Sequence, residues 1–179
     1  MLKKILIALV VLVVAFTGFV ALQPSEFRVE RSAMIAAPAA DVFPHVNDLR
    51  KWDAWSPWAK LDPNAKVGFE GAPAGKGAVF TWSGNDSVGE GRMTVTESRP
   101  SELITIDVAL VKPMVGSSTS EFAFKPDGDG TAVTWTMSGH HDFVGKAMCL
   151  IMNGRKMMGG EMEKGLAQLK AVAEGARSA

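Results

Sequence analysis

The sequence lacks several features on which common protein chemistries depend. Cys149 is the only cysteine among 179 residues, which excludes an intramolecular disulfide and a metal cluster held by cysteines. Tyrosine is absent, although there are 5 tryptophans. The 19 basic and 19 acidic residues cancel, so there is no global positive charge to attract nucleic acid, and no basic run follows Lys3 and Lys4. We therefore predict no cofactor, no metal and no nucleic-acid partner.

The first part of the chain contains a long apolar run without charge. Residues 5–22 are almost entirely apolar, and as a helix they span about 27 Å, close to the roughly 30 Å of a bilayer core. Lys3 and Lys4 precede the run, whereas the next basic residue is Arg28. The positive-inside rule then predicts a single-pass anchor with a cytoplasmic N-terminus and an exported domain, as in a bacterial periplasm. We assign residues 1–25 to anchor and linker. A cleaved signal peptide, which would leave a secreted domain, is the alternative.

The pattern after the anchor predicts one α+β domain over residues 26–176. Residues 27–35 alternate as a first strand, and two short helices follow Pro38. Six segments with period-two alternation then run to about Ser138. Their connections have hairpin length, with residues 127–130 as the strongest turn, so the strands are predicted to form an antiparallel meander.

A long amphipathic helix is predicted near the C-terminus, over about residues 144–174. Its apolar residues recur at steps of three and four: Met148, Met152, Met158, Met162, Leu166, Leu169 and Val172. This stripe is either a core-facing surface or the wall of an adaptable cavity, because methionine is flexible and polarisable. Gly154, Gly159 and Gly160 indicate a kink or a late start. We predict a curved antiparallel sheet of about seven strands around this helix, with a concave interior between them.

Five segments resemble the SRPBCC superfamily, which includes START-like and polyketide cyclase/dehydrase-like proteins. They are residues 52–58, 75–85, 89–93, 130–135 and 165–170. The resemblance covers roughly residues 27–172. It implies the Bet v 1-type helix-grip fold with a deep apolar cavity, and members of the superfamily range from lipid carriers to cyclases. The Cys/His pattern of the Rieske oxygenase branch is missing from this sequence.

The candidate ligand-binding residues are apolar side chains predicted to face the interior. They are Trp55, Trp58, Phe80, Trp82, Met93, Ile106, Phe122, Trp135, Met137, Met152 and Met158. Trp52, Trp55 and Trp58 are three residues apart. They either plug one end of the sheet or form an aromatic rim at a cavity mouth or membrane interface.

The pattern supports a binding protein better than an enzyme. His140, His141 and Asp142 form the one cluster of catalytic type, but adjacent strand residues point to opposite faces, so an exposed strand end is favoured. The leading hypothesis is a membrane-anchored binding protein for an apolar small molecule or lipid. The alternatives are a cyclase/dehydrase-like enzyme, in which His140 or Asn153 assists proton transfer, and a structural protein with a filled interior. The sequence does not indicate an oligomeric state.

Overall fold

The computed structural model describes residues 1–113 and 115–175, so the predicted domain end at residue 176 lies outside the described residues. The elements occur in the predicted order. They are α1 (Leu2–Ala21), β1 (Glu26–Ile35), α2 (Ala39–Asn47), a 3-10 helix (Leu49–Ala54), β2 (Lys66–Gly71), β3 (Ala78–Ser83), β4 (Glu90–Arg99), β5 (Leu103–Lys112), β6 (Gly116–Asp127), β7 (Gly130–His140), α3 (Phe143–Ile151) and α4 (Gly154–Gly175).

The seven strands form one curved antiparallel sheet in the order β1-β7-β6-β5-β4-β3-β2. Strands β2 to β7 pair with their sequence neighbours, and β1 pairs with β7 along its whole length. A register shift between Val95 and Glu97 interrupts the pairing of β4 with β5, and irregularities of this kind bend a strand. The prediction of an α+β helix-grip fold, with short helices after the first strand and a long C-terminal helix, is confirmed.

Helix α4 lies over one side of the sheet. It packs chiefly against β1, with fewer contacts to β7, α2 and the 3-10 helix. Its larger buried side chains are Met162, Leu166 and Leu169. Polar contacts add to this packing, because Arg31 on β1 pairs with Glu163 at 2.5 Å and Lys170 Nζ donates to the carbonyl oxygen of Met34 at 2.7 Å. The helix is therefore fixed along β1.

A glycine allows α4 to approach the sheet closely. A Cβ atom at Gly165 would lie 2.9 Å from a ring carbon of Trp135 and 3.1 Å from Cδ of Pro57. Both neighbours are held in the packed interior, since Trp135 is buried and Pro57 is half-buried. Gly160, in the preceding part of the helix, has open space where its Cβ would be.

The prediction of a single helix over residues 144–174 is wrong in one respect, because the chain forms two helices there, α3 and α4. The break lies at Asn153, whose φ of 51° is in the left-handed region that asparagine tolerates better than most residues. Of the apolar stripe, Met148 and Met152 are exposed, whereas Met162 is buried in α4. The stripe is thus a core-facing surface only within α4.

We expect Gly165→Ala to lower the free energy of unfolding by about 1–3 kcal/mol, because the added methyl group overpacks the contact with Trp135. Gly160→Ala is the matched control in the same helix, and it is expected to raise the free energy of unfolding by up to about 1 kcal/mol. Urea unfolding of the full-length protein in mild detergent, followed by tryptophan fluorescence, measures both. Equal stabilisation by the two substitutions would contradict the close approach.

Candidate functional site

The sheet face that looks toward α4, here called the concave face, is buried at one end and open at the other. Along β5, Ile106 is fully buried, Val108 is half-buried and Leu110 is 40% exposed. Their partners on β6 follow the same gradient toward the end of the sheet that contains Leu110, since Ser120 is buried, Ser118 half-buried and Gly116 exposed. We call this end the open end and the opposite one the closed end.

Aromatic side chains fill the closed end. Trp135 and Phe122 are stacked at 4.7 Å between ring centroids, and Trp55 meets each of them edge to face at 5.9 Å. Trp55 and Trp135 are almost completely buried, at 0% and 1% exposure. Trp52 and the half-buried Trp58 extend the cluster on either side. Offset and edge-to-face arrangements are the favoured geometries for aromatic pairs, so this cluster is a packed plug.

The plug is held in place by the end of α2. The indole of Trp52 donates to the carbonyl oxygen of Val46, and that of Trp55 donates to the carbonyl oxygen of His45, both at 2.9 Å. Carbonyl groups in the last turn of a helix have no partner within the helix, so the two indoles satisfy them. Trp52 and Trp55 therefore close one end of the concave face, and the half-buried Trp58 packs beside them on Trp135.

A buried hydrogen bond fixes Trp135 within the plug. Its indole Nε1 donates to the hydroxyl oxygen of Ser120 at 2.7 Å, and Ser120 is itself buried. Ser120 alternates with Phe122 and Phe124 in the sequence, a pattern that gives the strand its face but assigns Ser120 no role. The signal that identifies it is a small hydroxyl residue beside a buried tryptophan in a neighbouring strand, and it depends on knowing the register.

The open end is an apolar surface with partial exposure. Phe80 and Trp82 are stacked at 5.9 Å with an angle of 20° between their planes, and Met93 pairs with Phe80 across the β3–β4 ladder. All three are half-buried. Gly91 lies under the Trp82 ring, where any Cβ would collide with it, and the Trp82 indole donates to the carbonyl oxygen of Val88 at 3.0 Å. These side chains are thus ordered without being covered.

The candidate ligand-binding residues fall into three groups. The closed end contains Trp55, Ile106, Phe122, Trp135 and Met137. The accessible part of the concave face contains Phe80, Trp82 and Met93, whereas Trp58 is half-buried against Trp135. Met158 is half-buried in α4 and Met152 is exposed at the helix break, so the structure does not bring Met152 to the sheet. Their role as ligand contacts stays a prediction.

Sequence reasoning missed three residues of the accessible surface. Phe69 is opposite Phe80 and is 39% exposed, while Val108 and Leu110 continue the inner face of β5. The period-two alternation of the sequence places Val108 and Leu110 on the same face as Ile106. Only the position of α4 shows which members of that face remain uncovered.

The cluster of His140, His141 and Asp142 lies where β7 ends and α3 begins. His140 is exposed and pairs with Glu26, the first residue of β1, which places it on the outer face. His141 is stacked on Phe27 at 4.4 Å, and its burial lowers its pKa, with the charge of Arg155 acting in the same direction. Asp142 accepts a hydrogen bond from the backbone N–H of Gly145 at 2.7 Å and so caps α3. The cluster is therefore a structural strand end.

Two open depressions lie outside the concave face. One, of about 390 Å³, lies beside Met34 and Lys170 near the end of α4. The other, of about 1070 Å³, is lined mainly by outer-face side chains near the start of β1, including Arg28, Asp107 and His140. Its charged lining does not suit an apolar molecule. Among the residues described, no group of three or more His, Cys, Asp or Glu is arranged to hold a metal ion.

Comparison with known proteins identifies the family. Residues 26–174 match the family described as "Polyketide cyclase / dehydrase and lipid transport". The chain belongs to this family. The match confirms the SRPBCC resemblance seen in the sequence. No curated protein shows significant similarity to the sequence.

Solved structures share the fold at low sequence identity. A protein from Thermus thermophilus superposes with a TM-score of 0.61 at 16% identity, over 84% of this chain and 99% of that one. A protein from Rhizobium leguminosarum has a TM-score of 0.61 at 19% identity, over 83% of this chain and 95% of that one. The Aha1 dimer from Colwellia psychrerythraea has a TM-score of 0.57 at 15% identity, over 83% of this chain and 97% of that one. At these identities the likeness shows the fold alone.

We expect Ser120→Ala to destabilise the protein by about 1–3 kcal/mol, because it leaves the buried indole N–H of Trp135 without an acceptor. In a Trp135→Phe background the same substitution is expected to have a much smaller effect, since the donor is gone. Urea unfolding of the four proteins of this double-mutant cycle measures the coupling between the two side chains. Additive effects would show that the hydrogen bond does not form.

Proposed function

We propose that this protein is a membrane-anchored binding protein for an apolar small molecule or lipid, held between the sheet and the C-terminal helices. The observation that carries the proposal is the open end of the concave face. There Phe80, Trp82 and Met93 form an ordered apolar surface that α4, fixed along β1, leaves partly uncovered. Membership of a family that includes lipid transport supports the same class of ligand.

The free energy gained by burying apolar surface is sufficient for binding. An apolar ligand that removes about 200 Å² of side-chain surface from water gains about 5 kcal/mol. Ordering the ligand opposes this gain, so contacts with the facing helix are needed for tight binding. Met158 on α4 is half-buried against the core and is placed to supply such contacts.

The polar groups favour a carrier over an enzyme. His140 is on the outer face of the sheet, and Asn153 is exposed at the helix break. Ser120 is on the concave face, but its hydroxyl group already accepts from Trp135. These residues therefore provide no acid–base pair directed at a bound ligand, and no specific observation favours the cyclase/dehydrase alternative.

Helix α1 supports the membrane anchor. It has 20 residues and a mean hydropathy of 2.6, and most of it is not packed against the domain. Such a helix spans about 30 Å, which matches a bilayer core. A signal sequence has the same composition. However, Lys146 Nζ donates to the carbonyl oxygens of Ala21 at 3.2 Å and Gln23 at 3.1 Å, a contact that supports retention of the segment. The positive-inside rule then places the domain on the extracytoplasmic side.

Native mass spectrometry of the full-length protein, extracted in mild detergent, tests the proposal. We expect an apolar molecule to remain bound to the wild-type protein. Met93→Gln is expected to reduce its occupancy several-fold, because it places an amide in the apolar surface. Thr94→Gln is the matched control on the opposite face, and it is expected to retain the ligand. The absence of any bound molecule, or an equal loss in both variants, would contradict binding at the open end.

A further inference from the structure

Helix α3 turns its apolar side chains outward. Five of its nine residues are exposed, and all five are apolar: Phe143, Val144, Met148, Leu150 and Ile151. On a helical wheel they fall within one arc, on the side opposite Gly145 and Cys149, which are half-buried. The one charged residue of α3, Lys146, is turned toward the end of α1. This is the reverse of a helix that packs its apolar side on a protein core.

The hairpin between β5 and β6 carries further exposed apolar side chains at the same end of the sheet. Val111 is 50% exposed and Val115 is 86% exposed. The strand register places this hairpin beside α3, because Ser118 in β6 pairs with Gly139 at the end of β7, just before α3 begins. Both groups thus lie at the open end of the concave face.

The membrane helix leaves the domain at this end as well. Glu26, the first residue of β1, pairs with His140, the last residue of β7. The backbone N–H of His141 donates to the carbonyl oxygen of Ser25 at 2.7 Å, and Lys146 reaches Ala21. The linker over residues 22–25 extends at most about 14 Å. The end of α1 and the start of α3 are therefore neighbours.

From these placements we propose that the exposed face of α3, together with Val111 and Val115, binds the surface of the bilayer that contains α1. We call these residues the docking face. The inference rests on the proposed membrane anchor. It adds that the open end of the concave face points at the lipid, so that an apolar ligand passes between bilayer and protein without crossing bulk water.

The bilayer fits this face better than a second copy of the chain. A short tether to α1 keeps the face close to the membrane at all times, whereas a partner chain must be recruited. Basic residues at the start of α4, Arg155 and Lys156, are exposed next to α3. Apolar side chains flanked by basic ones are typical of helices that lie in a membrane interface.

Depth-dependent quenching tests the docking face with the full-length protein in vesicles of zwitterionic and anionic phospholipid. Single cysteines for an environment-sensitive fluorophore are introduced in a Cys149→Ser background. Val144→Cys and Val115→Cys report on the docking face, and Leu12→Cys reports on the middle of α1. Asp129→Cys, in the β6–β7 hairpin at the opposite end of the sheet, is the matched control. Quencher lipids carry a spin label near the headgroup end or near the methyl end of the acyl chain.

We expect labels at positions 144 and 115 to lose emission with the shallow quencher and less with the deep one, while the label at 129 is unaffected. The label at 12 is expected to respond most to the deep quencher. Quenching at 12 without quenching at 144 and 115 overturns the docking face but leaves the anchor and the ligand site intact. If 144 and 115 instead crosslink to a second copy, the face is a dimer interface and the inference is wrong. If the label at 12 is not quenched, the membrane anchor is contradicted, and the docking face with it. Ligand binding is tested separately, by the occupancy measured in detergent.

Discussion

The position of α4 along β1 determines which part of the concave face is core and which part is accessible. Gly165 permits the close approach to Trp135, and the Arg31–Glu163 ion pair ties the same helix to the edge strand. Side chains beneath the helix become the interior. Those of β3 to β5 near Leu110 lie away from the main contacts of α4, which are with β1, and they remain half-buried or exposed. An apolar surface left in water is unfavourable, so this offset of the helix is the physical basis for the binding proposed above.

Sequence periodicity predicted the elements and the faces of the strands, but not how far each face is covered. Alternation correctly placed Ile106, Val108 and Leu110 on one face, because side chains in a strand alternate whatever the tertiary structure. The exposure of these three residues differs because burial depends on where α4 lies, and that depends on contacts between residues far apart in sequence. The same limit applies to Ser120, whose partner Trp135 is defined only by the β6–β7 register.

The C-terminal region shows a second limit. Three-and-four spacing treats Met148 and Met162 as members of one stripe, since each is in phase with the next apolar residue. Asn153, which has a positive φ, lies between the end of α3 and the start of α4 and ends this continuity. Met162 then packs on the sheet while Met148 faces outward. The kink or late start that Gly154, Gly159 and Gly160 indicated is confirmed, since α4 begins at Gly154, but the residue with positive φ is Asn153.

The closed end and the open end of the concave face have different physical roles. The closed end is fixed by indoles that satisfy the last carbonyls of α2, and its aromatic rings pack against one another. The open end adjoins α1, α3 and the β5–β6 hairpin. Moving a hydrocarbon chain through water costs about 0.8 kcal/mol for each methylene group, so the barrier to ligand entry is lowest where the opening meets lipid directly. On the proposed placement, the plug of tryptophans is at the aqueous end and the opening is at the membrane, which is the orientation that keeps both the ligand and the apolar surface of α3 out of water.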